Sequence, residues 1–149
     1  MASDFGEDYK KLVWTNGCFD LFHAGHADYL KQASELGHLV VGITSDDKLR
    51  SEKREPINSE KQRAEVVASI KGVNEVMIYN DCAGLLSVIQ PHIYVKGGDY
   101  TLETMNQTER RLMEYYGAEI KFIPIVHNIS SSELIRRIVI AEANNRSRN

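Results

Sequence analysis

The stretch that most limits what this chain can become is KLVWTNGCFDLFHAGHADYLKQASEL, residues 11–36. Its apolar run Leu12, Val13 and Trp14 predicts a buried strand, residues 15–24 a glycine-bearing loop, and residues 24–36 a helix. A strand that turns through a loop into a helix aims the positive helix end and its unpaired N–H groups at whatever lies beyond the strand. In an open parallel sheet, ligands collect there. An anion, and phosphate above all, is the natural guest.

His23 and His26 stand three residues apart around Gly25. At a helix start this spacing lets both imidazoles face one side, while the glycine admits close backbone approach to a ligand. Two imidazole N–H groups can then bond phosphate oxygens as charge builds during phosphoryl transfer. Two other readings stand beside this one. One histidine can cap the helix with the other simply exposed, or the pair can bind a metal, although a third and fourth ligand at a fitting spacing are missing.

Strand and helix then alternate. Strands are predicted at residues 38–43, 75–79, 92–95 and 119–123, with Gly37 as the cap that closes the first helix. Ser59 with Gln62 forms a capping box for a helix to about residue 70, with Val66, Val67 and Ile70 inward. A further helix covers residues 82–90, another ends near Gly117, and a last one starts at Ser130 with Leu134, Ile135, Ile138 and Val139 on one face. Residues 44–54 are dense in charge and expected to be mobile, residues 1–10 form a flexible N-terminus, and residues 141–149 a polar tail. Five strands joined by helices imply one α/β domain over residues 11–140, a three-layer, doubly wound parallel sheet.

Composition narrows the function classes. A chain of 149 residues with 42% hydrophobic content can bury a sizeable core in one domain. The 18 basic and 21 acidic residues leave a net charge of −3, which gives no case for nucleic-acid or membrane partners. The acidic start, without an apolar run, leads to an expected cytoplasmic location. Cys18 and Cys82 fall in different elements and are expected as reduced thiols, Cys18 as a small packing residue.

Three more segments fall near strand ends. Lys48, Lys53, Arg54 and Arg63 form a basic group, and its bland alternative is a solvated surface. In VKGGDY, residues 95–100, two glycines permit close backbone approach, and Asp99 can accept hydrogen bonds from a ribose or sugar hydroxyl; the same letters also make an ordinary turn. In ISSSE, residues 129–133, Ser130 and Glu133 form a capping box. Asp20 either orients substrate or metal, or steadies its own loop.

The string from Gly17 to His26, G-C-F-D-x-x-H-x-G-H, resembles the signature of the cytidylyltransferase-like nucleotidyltransferases, which join a nucleoside monophosphate to a phosphorylated substrate and release pyrophosphate. The resemblance runs from about residue 12 to 138 and implies a Rossmann-like nucleotidyltransferase fold. It implies catalytic roles for His23, His26, Arg63 and Lys53, the last two on the leaving pyrophosphate. It places nucleotide against Thr15, Asn16, Gly17, Cys18, Phe19, Gly25, Lys48, Gly98, Asp99, Ile129, Ser130, Ser131 and Ser132, and the second substrate against Asp20 and Lys96. Mg2+ or Mn2+ would be held mainly by the phosphates, and a homodimer is expected.

VKGGDY is similar to the matching stretch of the heptose 1-phosphate adenylyltransferases, which make ADP-heptose from ATP. The glycerol-phosphate branch instead carries an arginine before the serine segment, where this chain has Ile125, Val126, His127 and Asn128. Two alternatives stay open: a cytidylyltransferase using CTP with glycerol 3-phosphate or another alditol phosphate, and a nucleotide-binding sensor without turnover.

Overall fold

The computed structural model describes residues 10–125 and 130–148. In chain order it contains β1 (Leu12–Gly17), α1 (Ala24–Ser34), β2 (His38–Thr44), α2 (Asp46–Ser51), α3 (Glu60–Ala68), β3 (Val73–Tyr79), α4 (Cys82–Ile89), β4 (Ile93–Gly97), α5 (Gln107–Tyr116), β5 (Glu119–Ile123) and α6 (Ser131–Arg148). The strands form one sheet in the order β3-β2-β1-β4-β5, and each neighbouring pair is parallel.

Alternation along the strands divides the core. Val13, Leu39, Val41, Ile43, Ile93 and Val95 pack on one face with Tyr29, Leu30 and Ala33 of α1 and Val67 of α3. Trp14, Val40 and Tyr94 pack on the other with Cys82 and Leu86 of α4 and Met113 of α5. Strands buried on both faces need the near-continuous apolar runs found at residues 38–43. The chain therefore folds as the three-layer doubly wound sheet that its alternation predicts.

Four details differ from the sequence expectation. Residues 44–54 hold a helix, α2, because the Ser45 hydroxyl accepts the Lys48 N–H, Asp46 and Asp47 suit its first turn, and Leu49 is buried beneath it. In α3 the inward stripe is Arg63, Val67 and Ile70, while Val66 is 44% exposed on the flank. Gly37 does not cap α1, whose cap is Glu35; a Cβ at residue 37 would lie 2.2 Å from the Lys11 carbonyl oxygen, so the glycine admits the start of β1. Finally, α6 continues to Arg148 through the expected tail and has no buried residue, and Ile135, Ile138 and Val139 face solvent. Tyr115 and Tyr116 are exposed as well.

Candidate active site

The strand order reverses between β1 and β4, and a doubly wound sheet binds ligands outside the strand ends at such a point. A cavity of about 1180 Å3 lies there. Of the residues expected from sequence, Asn16, Gly17, Cys18, Phe19, Asp20, His26, Lys48, Lys96, Gly98 and Ser131 line it.

At the start of α1, His23 occupies the cap and its Nδ1 accepts the Gly25 N–H at 3.0 Å, while the His23 N–H donates to Nδ1 of His26 at 3.3 Å. The rings stack with centroids 3.7 Å apart. With each Nδ1 accepting, hydrogen bonding assigns the proton of either neutral ring to Nε2, on the side away from the backbone. Capping and anion binding are thus compatible, because they use different nitrogens. Burial, and then the neighbouring His23, push His26 down to about 4, so it is a neutral donor near pH 7. A Cβ at Gly25 would sit 2.9 Å from His23 Cε1 and 3.0 Å from Ile125 Cγ2, so the glycine makes room for the imidazole.

The loop before α1 is tied down from several sides. Phe19 and Leu21 adopt φ of 51°, an uncommon conformation for side-chain-bearing residues. Asp20 accepts from the N–H groups of Ile57 at 2.6 Å and Asn58 at 3.0 Å and from the Asn58 side chain at 3.0 Å. These bonds show Asp20 steadying its loop from a position on the cavity wall. Ser131 donates to the Asp20 carbonyl at 3.2 Å, which brings the start of α6 to the same loop.

Arg63 is placed differently from the phosphate grip its position implied. It is 1% exposed and is not on the cavity wall. Its guanidinium donates to the carbonyls of Cys18 and Thr44 at 2.8 Å each and of Asn58 at 3.0 Å, and to Asp46 Oδ1 at 2.7 Å. Burial works to raise the Asp46 carboxyl, but the Arg63 hydrogen bond holds it below its ordinary value. Arg63 therefore fixes the loop before α1 from behind, joining it to β2, α2 and the start of α3.

Lys53 follows the end of α2 with φ of 62° and does not line the cavity, whereas Lys48 and Arg54 do. Thr15 is fully buried, its hydroxyl 2.6 Å from that of Tyr29. Asp99, Ser130 and Ser132 are exposed and off the wall, and Ser130 caps α6 by accepting the Glu133 N–H at 3.1 Å. Ile129 lies outside the described residues. Lys96 Nζ stands 4.5 Å from the centre of the Tyr100 ring.

Sequence reading missed part of the wall. Tyr79, Cys82 and Glu109 line the cavity from the far face of the sheet. Glu109 Oε1 accepts from the Tyr94 hydroxyl at 2.6 Å and from Cys82 Sγ at 3.5 Å, while Asn16 Nδ2 donates to the Tyr79 hydroxyl at 3.0 Å and to Cys82 Sγ at 3.3 Å. Burial pushes the Cys82 thiol and the Tyr94 phenol well above their ordinary values, so both stay protonated donors. No spacing signal marks these residues, because three different elements supply them. Among the described residues no three of His, Cys, Asp and Glu come together as a metal cage. No helix there is long and apolar enough to cross a membrane.

Comparison with known proteins gives the chain's family and relatives. The family model described as Cytidylyltransferase-like matches residues 14–137. A bifunctional protein HldE from Pelobacter propionicus is 40% identical over 136 residues, 87% of this chain and 27% of that protein. The protein of the same name from Hahella chejuensis is 41% identical over 135 residues, 87% of this chain and 28% of that one. The chain thus spans roughly a quarter of the length of these curated relatives. Among solved structures, a lipopolysaccharide core biosynthesis protein from Thermoplasma volcanium superposes with a TM-score of 0.66 at 26% identity, covering 81% of this chain and 100% of that one.

Proposed function

This chain belongs to the cytidylyltransferase-like family, and from that premise we propose that it transfers AMP from ATP to a sugar 1-phosphate, heptose 1-phosphate, releasing pyrophosphate. The observation that carries the reading is the stacked His23–His26 pair at the start of α1, with each Nδ1 on backbone and the His26 ring on the cavity wall. The VKGGDY segment and the relatives named HldE support the heptose acceptor and ATP as donor.

The reaction is an in-line displacement. A phosphate oxygen of the sugar 1-phosphate bonds to the α-phosphorus of ATP as the bond from that phosphorus to the bridging oxygen breaks, and the electron pair leaves with pyrophosphate. A phosphate monoester is already an anionic nucleophile, so positioning and charge stabilisation do most of the work. His26, with His23 behind it, donates Nε2–H to phosphate oxygens. Lys48 and Arg54 face the pyrophosphate, and Arg54 takes the place that sequence gave to Lys53. Arg63 acts by holding the Cys18 carbonyl, and so keeps the loop N–H groups oriented. Mg2+ or Mn2+ enters as part of the nucleotide substrate.

The setting is cytoplasmic and the working unit a homodimer, with the solvent-facing Ile135, Ile138 and Val139 of α6 available as an apolar surface; light scattering checks the dimer. The activity is tested by pyrophosphate release with Mg2+, crossing ATP and CTP against heptose 1-phosphate, glycerol 3-phosphate and a hexose 1-phosphate. Turnover confined to ATP with heptose 1-phosphate is the expected result. Preference for CTP with glycerol 3-phosphate would reject the acceptor and the donor while leaving the histidine chemistry in place.

A further inference from the structure

The cavity wall on the α4 and α5 side ends in acceptors. Glu109 enters from α5 and is fixed through one oxygen only: Oε1 takes the Tyr94 hydroxyl at 2.6 Å and the Cys82 thiol at 3.5 Å, and no described residue donates to Oε2. Asn16, beside it on β1, has both bonds of its Nδ2 directed to Tyr79 and Cys82, and its Oδ1 is buried without a partner. A carboxylate oxygen on a cavity wall with no donor among the described residues favours a ligand that brings hydrogen-bond donors. A carboxylate also repels phosphate, so the phosphate groups belong nearer His26, Lys48 and Arg54. Lys96 follows Tyr94 two residues along the same strand, which puts a cation on the same wall as Glu109.

We propose that Glu109 reads a hydroxyl group of the acceptor sugar and is a specificity-determining residue for it. This rests on the reading of the cavity as a site for nucleotidyl transfer to a sugar phosphate. Tyr94 and Cys82 are the positioning residues, because they hold the carboxylate by one oxygen and leave the other on the cavity wall without a donor among the described residues. A site built to bond a particular hydroxyl rejects the analogue that lacks it far more strongly than a merely apolar pocket can reject an added group.

The test compares the wild-type chain with Glu109→Gln and Glu109→Asp. Binding of heptose 1-phosphate is measured calorimetrically in the presence of a non-hydrolysable ATP analogue, and turnover is followed with heptose 1-phosphates deoxygenated one position at a time. Hydrogen bonds to charged groups imply that both variants weaken heptose 1-phosphate binding about 10-fold or more, with affinity for the ATP analogue within about 2-fold of wild type. For wild type, one deoxy analogue loses about 10-fold or more in kcat/KM; in Glu109→Gln that same penalty shrinks toward unity. Glu109→Asp keeps the charge and withdraws it by one methylene, so its loss with an unchanged melting temperature excludes a folding defect. Wild-type sugar affinity in both variants, an undiminished deoxy penalty, or a loss that falls on the ATP analogue would each overturn the inference alone. A wild-type chain that binds the ATP analogue but no sugar phosphate would instead remove the proposed function, and this inference with it.

Discussion

Each histidine of the pair accepts a backbone N–H through Nδ1, and only the His26 ring lies on the cavity wall. His26→Ala removes the Nε2–H donor and also the acceptor for the His23 N–H, and losing one such donor to a developing charge costs about 100-fold or more in kcat. Purified, folded His26→Ala with near-normal turnover would rule out the phosphate role. The same residue makes stability depend on pH. Burial and His23 lower it from 6.5 to about 4 in the folded chain, so between these values the unfolded chain binds more protons. Its contribution is complete above about pH 6.5 and is lost as the pH falls through 4. Melting temperatures of the ligand-free protein should therefore fall over this interval, and His26→Asn should flatten that part of the profile. The H-x-G-H pattern made the pairing of the two rings at the helix start legible in sequence. It did not reveal why Gly25 is needed, since closeness to the His23 ring and to Ile125 is a packing fact with no local signal.

Among the elements, α2 and α3 decide which cations line the cavity. The charged run at residues 44–54 looked mobile because one buried side chain, Leu49, is a faint signal among so many charges. Once Ser45 caps the helix, its geometry sends Lys48 to the cavity and leaves Lys53, in a left-handed turn, off the wall. Arg54→Ala is accordingly expected to raise the KM for ATP about 10-fold, the scale of a charge-assisted contact, and Lys53→Ala to stay within about 2-fold. Steady-state kinetics on the two variants reads this directly, and the reverse order would restore the sequence expectation. Arg63 is the counterpart inside α3. Its removal strands the Cys18 and Thr44 carbonyls and the Asp46 carboxylate, and breaking a buried pair from one side costs about 3–5 kcal/mol. Urea unfolding of Arg63→Ala should show that loss, while an unperturbed midpoint would mean that the guanidinium is not holding the loop. An arginine at helical spacing with Val67 and Ile70 could have been recognised as inward-facing, but the charge of the side chain hid the stripe.

At the scale of the whole molecule, the doubly wound parallel sheet was legible because strand patterning and crossover handedness leave few arrangements for five strands. The full wall of the site was not. Asn16, Tyr79, Cys82 and Glu109 belong to different elements, and only the crossovers bring them together. Sequence spacing reports neighbours along one helix or strand; it does not report which two helix ends meet over a sheet. The same construction makes ligand binding a property of the entire domain. Asn16 and Gly17 come from β1, Lys48 from α2, Gly98 from the turn after β4 and Ser131 from α6, so a nucleotide across the crevice touches both halves of the sheet. A ligand that requires all of these in place binds the native state alone and stabilises it by about 2.7 kcal/mol when present at 100 times its Kd. For a domain of this size that corresponds to a rise in melting temperature of roughly 5–10 °C, with unfolding still a single transition. Melts with and without MgATP, at concentrations shown by calorimetry to saturate the site, check this. An unchanged melting temperature at saturation would mean that the nucleotide binds the unfolded chain as well as the native one, and the folded crevice at the β1–β4 reversal would then not be the place where ATP is held.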